Sequence, residues 1–162
     1  MERRFMENKI VFDNILLMQL ALPRETIQYL LENGLPKKIE ASIAEVISVE
    51  FYDVDKIKTL LHKGQKYLNI GNDGYCSLFI EQQSGHLFSV DIKEDAEKSM
   101  VFINSSIEKF IDCLQSFSLH KRRTTNESYE SVLKDFKADL KCIDSSCMDE
   151  DNWWNIFVNQ PY

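Results

Sequence analysis

The chain has 162 residues, 44% of them apolar and 28% charged, with only five glycines and three prolines. That composition excludes a fibrous, low-complexity or disordered polymer and fits one folded domain spanning residues 1–162. The formal charge of −7 sets up a field that repels nucleic acid and anionic membrane surfaces and attracts basic partners, and no apolar run reaches membrane-spanning length.

Near the N-terminus, Arg3-Arg4 precede the apolar run Ile15-Leu16-Leu17-Met18. Asn8, Lys9, Asp13 and Asn14 interrupt the approach and no small-x-small cleavage site follows, so a signal peptide is not expected. The first clear helix is "LPRETIQYLLENGLP". Pro23 sits at its first turn, Ile27, Leu30 and Leu31 share a face, and Gly34 followed by Pro36 stops it. "IAEVISVEFYD" predicts a strand at 46–52 through the alternation Ile47, Val49, Phe51. Asp53-x-Asp55 opens like a calcium loop, but Ile57 fills the next ligand position and no loop glycine follows. A cap on a short helical turn running through Leu60-Leu61 is expected instead.

The stretch "YLNIGNDGYCSLFIEQQSGHLFSVD" at 67–91 carries the strongest pattern. Tyr67–Ile70 reads as a strand with Leu68 and Ile70 on one face. A phosphate-gripping loop at Gly71-Asn72-Asp73-Gly74 would need a lysine and a following helix. Here Asp73 is negative and a strand follows, so Asp73-Gly74 reads as a tight hairpin corner. For the second turn, a three-residue loop Gln83-Ser84-Gly85 with Gly85 left-handed sets Ile80 opposite Phe88, Leu78 opposite Val90 and Cys76 opposite Ile92. That register yields one apolar face, leaving Ser77, Phe79, Glu81, Leu87, Ser89 and Asp91 on a mixed face.

"MVFIN" at 100–104 predicts a strand, and Ser105-x-x-Glu108 predicts a capping box for a helix carrying Ile107, Phe110, Ile111, Leu114 and Phe117. His120-Lys121-Arg122-Arg123 closes that helix and complements its dipole. A second long helix at about 126–143 carries Tyr129, Val132, Leu133, Phe136, Leu140 and Ile143 on one stripe. A short last helix holds Trp153, Trp154, Ile156 and Phe157, read as core and edge-sealing residues. From Asp139 to Tyr162 five acids face one base, a net of −4, whereas 105–138 carries a net of +1. This acidic end is either a solvated face or a landing site for a basic partner.

The search for chemistry finds no constellation. Cys76, Cys113, Cys142 and Cys147 form no C-x-x-C, and His62, His86 and His120 lack paired-ligand spacing, so neither metal nor cofactor is expected. Reduced thiols in a cytoplasm are the simplest setting. No hydrolase, zinc-protease, deaminase or nucleotide-binding motif is present. Glu81 and Asp91, read on one face, would stand about 13 Å apart. An inverting carboxylate pair needs roughly 6.5–9.5 Å. The expectation is a protein without enzymatic activity whose business is binding.

The order "LPRETIQYLLENGLP", "YLNIGNDG", "SGHLFSVD", "FINSSIEKFIDCL" resembles the SUKH superfamily of bacterial immunity proteins, most closely its fourth subgroup, over residues 22–157. The resemblance implies a single α+β domain with a central, mostly antiparallel sheet flanked by helices. It also implies a protein that neutralises a cognate polymorphic toxin by binding it, the toxin commonly a nuclease or nucleic-acid deaminase. Gly71, Gly85, Asn104 and Ser105 carry over as turn and cap positions, and residues 1–20 stand outside the pattern. Related proteins elsewhere act as regulatory or scaffold interaction modules, which is the alternative role. The expected contacts with a basic toxin domain are Asp73, Tyr75, Phe79, Glu81 and Asp91, with Asp149, Glu150 and Asp151 as a steering patch.

Overall fold

The computed structural model describes residues 8–42, 46–91 and 100–159. Arg3-Arg4 and the expected partner of Cys76, Ile92, lie outside them. A two-residue pairing of β1 (Lys9–Ile10) with β2 (Leu35–Pro36) brackets helices α1 (Asn14–Gln19) and α2 (Arg24–Asn33). The main sheet holds β3 (Lys38–Ser42), β4 (Val46–Phe51), β5 (Lys58–His62), β6 (Gln65–Asn72), β7 (Cys76–Glu81), β8 (Leu87–Asp91) and β9 (Val101–Asn104). Its order is β3-β4-β6-β7-β8-β9 with β5 beside β6, and every pairing is antiparallel. Helices α3 (Ile107–Arg123), α4 (Tyr129–Ile143) and α5 (Trp153–Asn159) complete an α+β domain, as expected.

One face of the sheet supplies Ile39, Ile47, Val49, Leu68, Leu78, Ile80, Leu87 and Ile103 to the main core. α3 lies on the sheet against β3 and β9, and α4 packs on α3. Phe110, Phe117, Phe136 and Trp154 are fully buried at this junction, with ring centroids 5.4–6.3 Å apart in edge-on or tilted contacts. Burying each such side chain contributes about 1.5–3 kcal/mol, which explains why the stripes of α3 and α4 meet here; on α2, Leu30 is buried but Leu31, expected on the same face, is 40% exposed. In the tryptophan segment Trp154 is core and Trp153 and Phe157 are half-buried at its edge, whereas Ile156 is exposed.

The opposite face carries a second apolar cluster of Tyr67, Phe79 and Val90, with Leu60, Phe88 and Met100 packed around it. Its existence overturns the hairpin register. The pairs are Ile80 with Leu87, Phe79 with Phe88, Leu78 with Ser89, Ser77 with Val90 and Cys76 with Asp91. The loop is one residue longer than expected: Glu81 N–H donates to the His86 carbonyl and Gly85 N–H to the Glu81 carbonyl. Gly85 is left-handed at φ 75°, as expected. The extra residue turns Leu87 into the main core and Phe88 and Val90 outward. A rule that demands one apolar face fails when both faces of a sheet are covered by apolar groups. Glu81 and Asp91 consequently lie on opposite faces rather than sharing one.

Three further expectations are corrected. Asp53 caps no helix through Leu60-Leu61: a single 3₁₀ turn at Val54–Lys56 gives way to β5, because β6 offers those residues a ladder. Ser106, not Ser105, caps α3, its hydroxyl accepting from Lys109 N–H at 3.2 Å. Gly71 is not a turn residue; it sits within β6 beside a register shift, where a Cβ would stand 2.2 Å from the Glu50 carbonyl oxygen. Only glycine admits the β4 backbone that closely.

Candidate partner-binding surface

The corner after β6 is built from its own polar side chains. Asp73 N–H donates to the Cys76 carbonyl, closing a hairpin whose two loop residues are Gly74, at φ 90°, and Tyr75. A glycine with positive φ at the first loop position is the chemistry of a type II′ turn. The Asp73 carboxylate accepts from the Tyr75 and Cys76 amides at 2.9 and 2.6 Å, and the Asn72 side-chain oxygen from Gly74 N–H at 3.0 Å. The amides a phosphate would use are therefore engaged by the loop itself, which supports the reading as a corner. Tyr75 stands 85% exposed at its tip.

Asp91 joins this end of the sheet through its pairing with Cys76. Burial, then the nearby Asp73 and Asp91 charges, push the Cys76 thiol up to about 11. Glu50, exposed and paired across from Asn72, and Tyr52, whose hydroxyl accepts from the Asn72 amide at 2.9 Å, belong to the same end. Neither was singled out from sequence. Their alternation within "VEFYD" marks them as a strand end, but nothing in it places them beside Asp73.

The remaining expected contacts lie elsewhere. Phe79 is 8% exposed within the outer-face cluster and Leu87 is fully buried, so neither is the exposed anchor that the mixed face implied. Glu81 is at the far end of β7, where its carboxylate takes the Ser84 hydroxyl and, at 3.4 Å, the Tyr67 hydroxyl. Asp149, Glu150 and Asp151 are exposed on the turn before α5. Their segment is tied through Asp144 to Asn104, which pairs with Leu87 at the end of β9 away from Tyr75. The structure thus brings Asp73, Tyr75 and Asp91 together and leaves the C-terminal acids as a separate patch.

Asp144, 2% exposed, organises that tie. Its carboxylate accepts from the Asn104 amide at 3.0 Å, Ser105 N–H at 2.7 Å and the Ser105 hydroxyl at 3.2 Å, with Lys109 Nζ at 3.8 Å. Asn104, fully buried, accepts in turn from Trp154 Nε1 at 2.8 Å. Ser105 is drawn away from the helix cap by this carboxylate. Beside the network, the Cys113 thiol is raised well above its usual range, first by a hydrogen bond with Cys147 and then by burial.

A Ser–His–Asp grouping occurs between α3 and α4 but is wired for structure. His120, 6% exposed, has Nδ1 2.9 Å from the Ser116 carbonyl, so that nitrogen carries a proton and cannot accept one from the Ser116 hydroxyl 3.4 Å away. Nε2 faces Asp139 at 3.4 Å and the ring packs on Phe136. No group of three potential metal ligands, and no helix long and apolar enough to cross a membrane, occurs among the described residues. A depression of about 450 Å³ on α4 is lined by residues of that helix alone, including Lys134, Lys137 and Lys141, and is helix surface rather than a cleft.

These features define an α+β protein whose described buried polar groups hold the fold together and whose candidate contacts stand on exposed turns. The family model for the SUKH-4 immunity protein matches residues 4–160, and the chain belongs to that family. The match takes in the N-terminal helix and most of the first 20 residues, which had stood outside the pattern. Comparison with curated proteins and with solved structures returns no match.

Proposed function

We propose that this protein acts as a non-enzymatic cytoplasmic immunity protein that binds a cognate toxin domain and occludes its active cleft. The toxin is a basic nuclease or nucleic-acid deaminase, whose cleft must be positive to hold its own substrate. The observation that carries the reading is the Tyr75 corner. A side chain 85% exposed stands on a turn fixed by three side-chain-to-amide hydrogen bonds, next to Asp73 and at the sheet end that also holds Asp91 on one face and Glu50 on the other. An aromatic anchor on a preorganised loop at an acidic sheet end suits a basic protein surface. Phe79 supports the outer face from within, and Glu81 contributes at its far edge. The chain's charge of −7 and its family agree with this assignment.

Co-expression with the toxin encoded beside it tests the proposal. Growth is restored, and the purified pair forms a complex in which the toxin's nuclease or deaminase activity is lost. Replacing Tyr75 by Ala, which leaves the turn bonds intact, weakens the complex by about 2 kcal/mol or more, roughly thirtyfold. Failure of the wild-type chain to form the complex overturns the reading.

A further inference from the structure

Residues 56–72 contain Lys56, Lys58, Lys63 and Lys66 and no acid, a local charge of +4 in a chain whose total is −7. They form the end of the 3₁₀ turn, all of β5 and β6. Among the described residues β5 pairs with β6 alone. Lys58 and Thr59 are exposed, and Leu61 is 68% exposed. In a strand paired on one side, every second residue turns its N–H and C=O away from the sheet. The hairpin is fixed by Lys63 and Gly64 at φ 47° and 79°, the pattern of a type I′ turn, so this edge is preorganised.

Charge selects what can occupy such an edge. A second copy pairing through β5 would crowd the lysines of both copies into one patch, which is destabilising. A nucleic acid supplies negative charge but no strand backbone to extend the ladder, and the whole-molecule field opposes it. An extended acidic polypeptide satisfies both requirements: its backbone continues the sheet while its carboxylates meet Lys58, Lys63 and Lys66. We propose that β5 is a docking edge for an extended acidic segment of a partner protein, with Leu61 as the apolar contact. The edge runs along the first half of β6, away from the Tyr75 corner at its end, and is independent of the toxin-binding reading.

The test uses the full chain, isotopically labelled, and a capped heptapeptide of alternating Glu and Val as probe. Saturable amide shifts on β5, at least tenfold slowed hydrogen exchange there and an affinity that falls with salt are expected. The double variant Lys58→Glu/Lys63→Glu binds at least tenfold more weakly. The salt dependence of the wild-type chain keeps the test valid should that variant unfold. Three results overturn the proposal: no perturbation of β5, equal perturbation by the matching Lys–Val peptide or by octathymidylate, or sedimentation showing that the chain self-associates through this edge.

Discussion

Asp144 shows how much one buried carboxylate can organise. It receives a side-chain amide, a backbone amide and a hydroxyl, and through Asn104 it reaches the Trp154 indole, so β9, the start of α3, the end of α4 and α5 meet at one point. Removing the shared acceptor leaves several neutral donors unsatisfied, each costing about 1–3 kcal/mol where it stays buried, so a total of about 3 kcal/mol or more. Asp144→Ala is expected to lower the unfolding free energy by that amount in urea titration, and Asp144→Asn by less, since an amide still accepts one bond. A loss below about 1 kcal/mol for the alanine variant would show that water replaces the carboxylate. The sequence disclosed the parts of this node but not their union. Asn104 and Ser105 were legible as the end of a strand and the start of a helix, whereas Asp144, about forty residues on, looked like one more acid in an acidic tail.

Helices α3 and α4 were legible from period alone, because their apolar stripes meet one core. Their connection is held by Arg123, whose guanidinium donates to Glu127 at 2.8 and 2.6 Å and to Asp135 at 2.7 Å. Hydrogen bonding to Arg123, the largest cause, holds both carboxyls below their ordinary values of 4.5 and 3.8. A carboxyl with a depressed folded-state pKa contributes stability above its unfolded value and loses it as the pH falls through the folded one. Amide protection around residues 123–129 is therefore expected to fall on acidification below about pH 4, where unpaired carboxylates protonate. Arg123→Ala removes that pH dependence while barely moving global stability, since exposed pairs contribute little. Persistence of the same acid-induced loss in Arg123→Ala would place its cause elsewhere. Strand β5 was not legible in the same way. "KTLLH" has no decisive period, and only the neighbouring β6 makes it a strand.

At the scale of the molecule, the charge is divided among separate regions: acids at the Tyr75 corner, acids before α5 and lysines around β5. The patch at Asp149, Glu150 and Asp151 is expected to set the rate of toxin encounter rather than the strength of the complex. Replacing Asp149 and Glu150 by Lys should slow association severalfold at low salt and flatten its salt dependence, with dissociation unchanged. Asp151 is best changed to Asn, which tolerates its φ of 66°. An association rate that does not move in stopped-flow measurements would remove the steering role. The residues themselves determined the corner at Gly74, the helical stripes and the acidic balance, because each is set by short-range sterics, periodicity or simple counting, while the class of the fold came from the family resemblance. Tertiary structure alone decided the register of β7 with β8, the burial of Phe79 and Leu87, the union of Glu50, Asp73 and Asp91 at one sheet end, and the capture of Ser105 by Asp144. Each of these depends on which distant surface covers a face or satisfies a polar group, and local pattern carries no record of that.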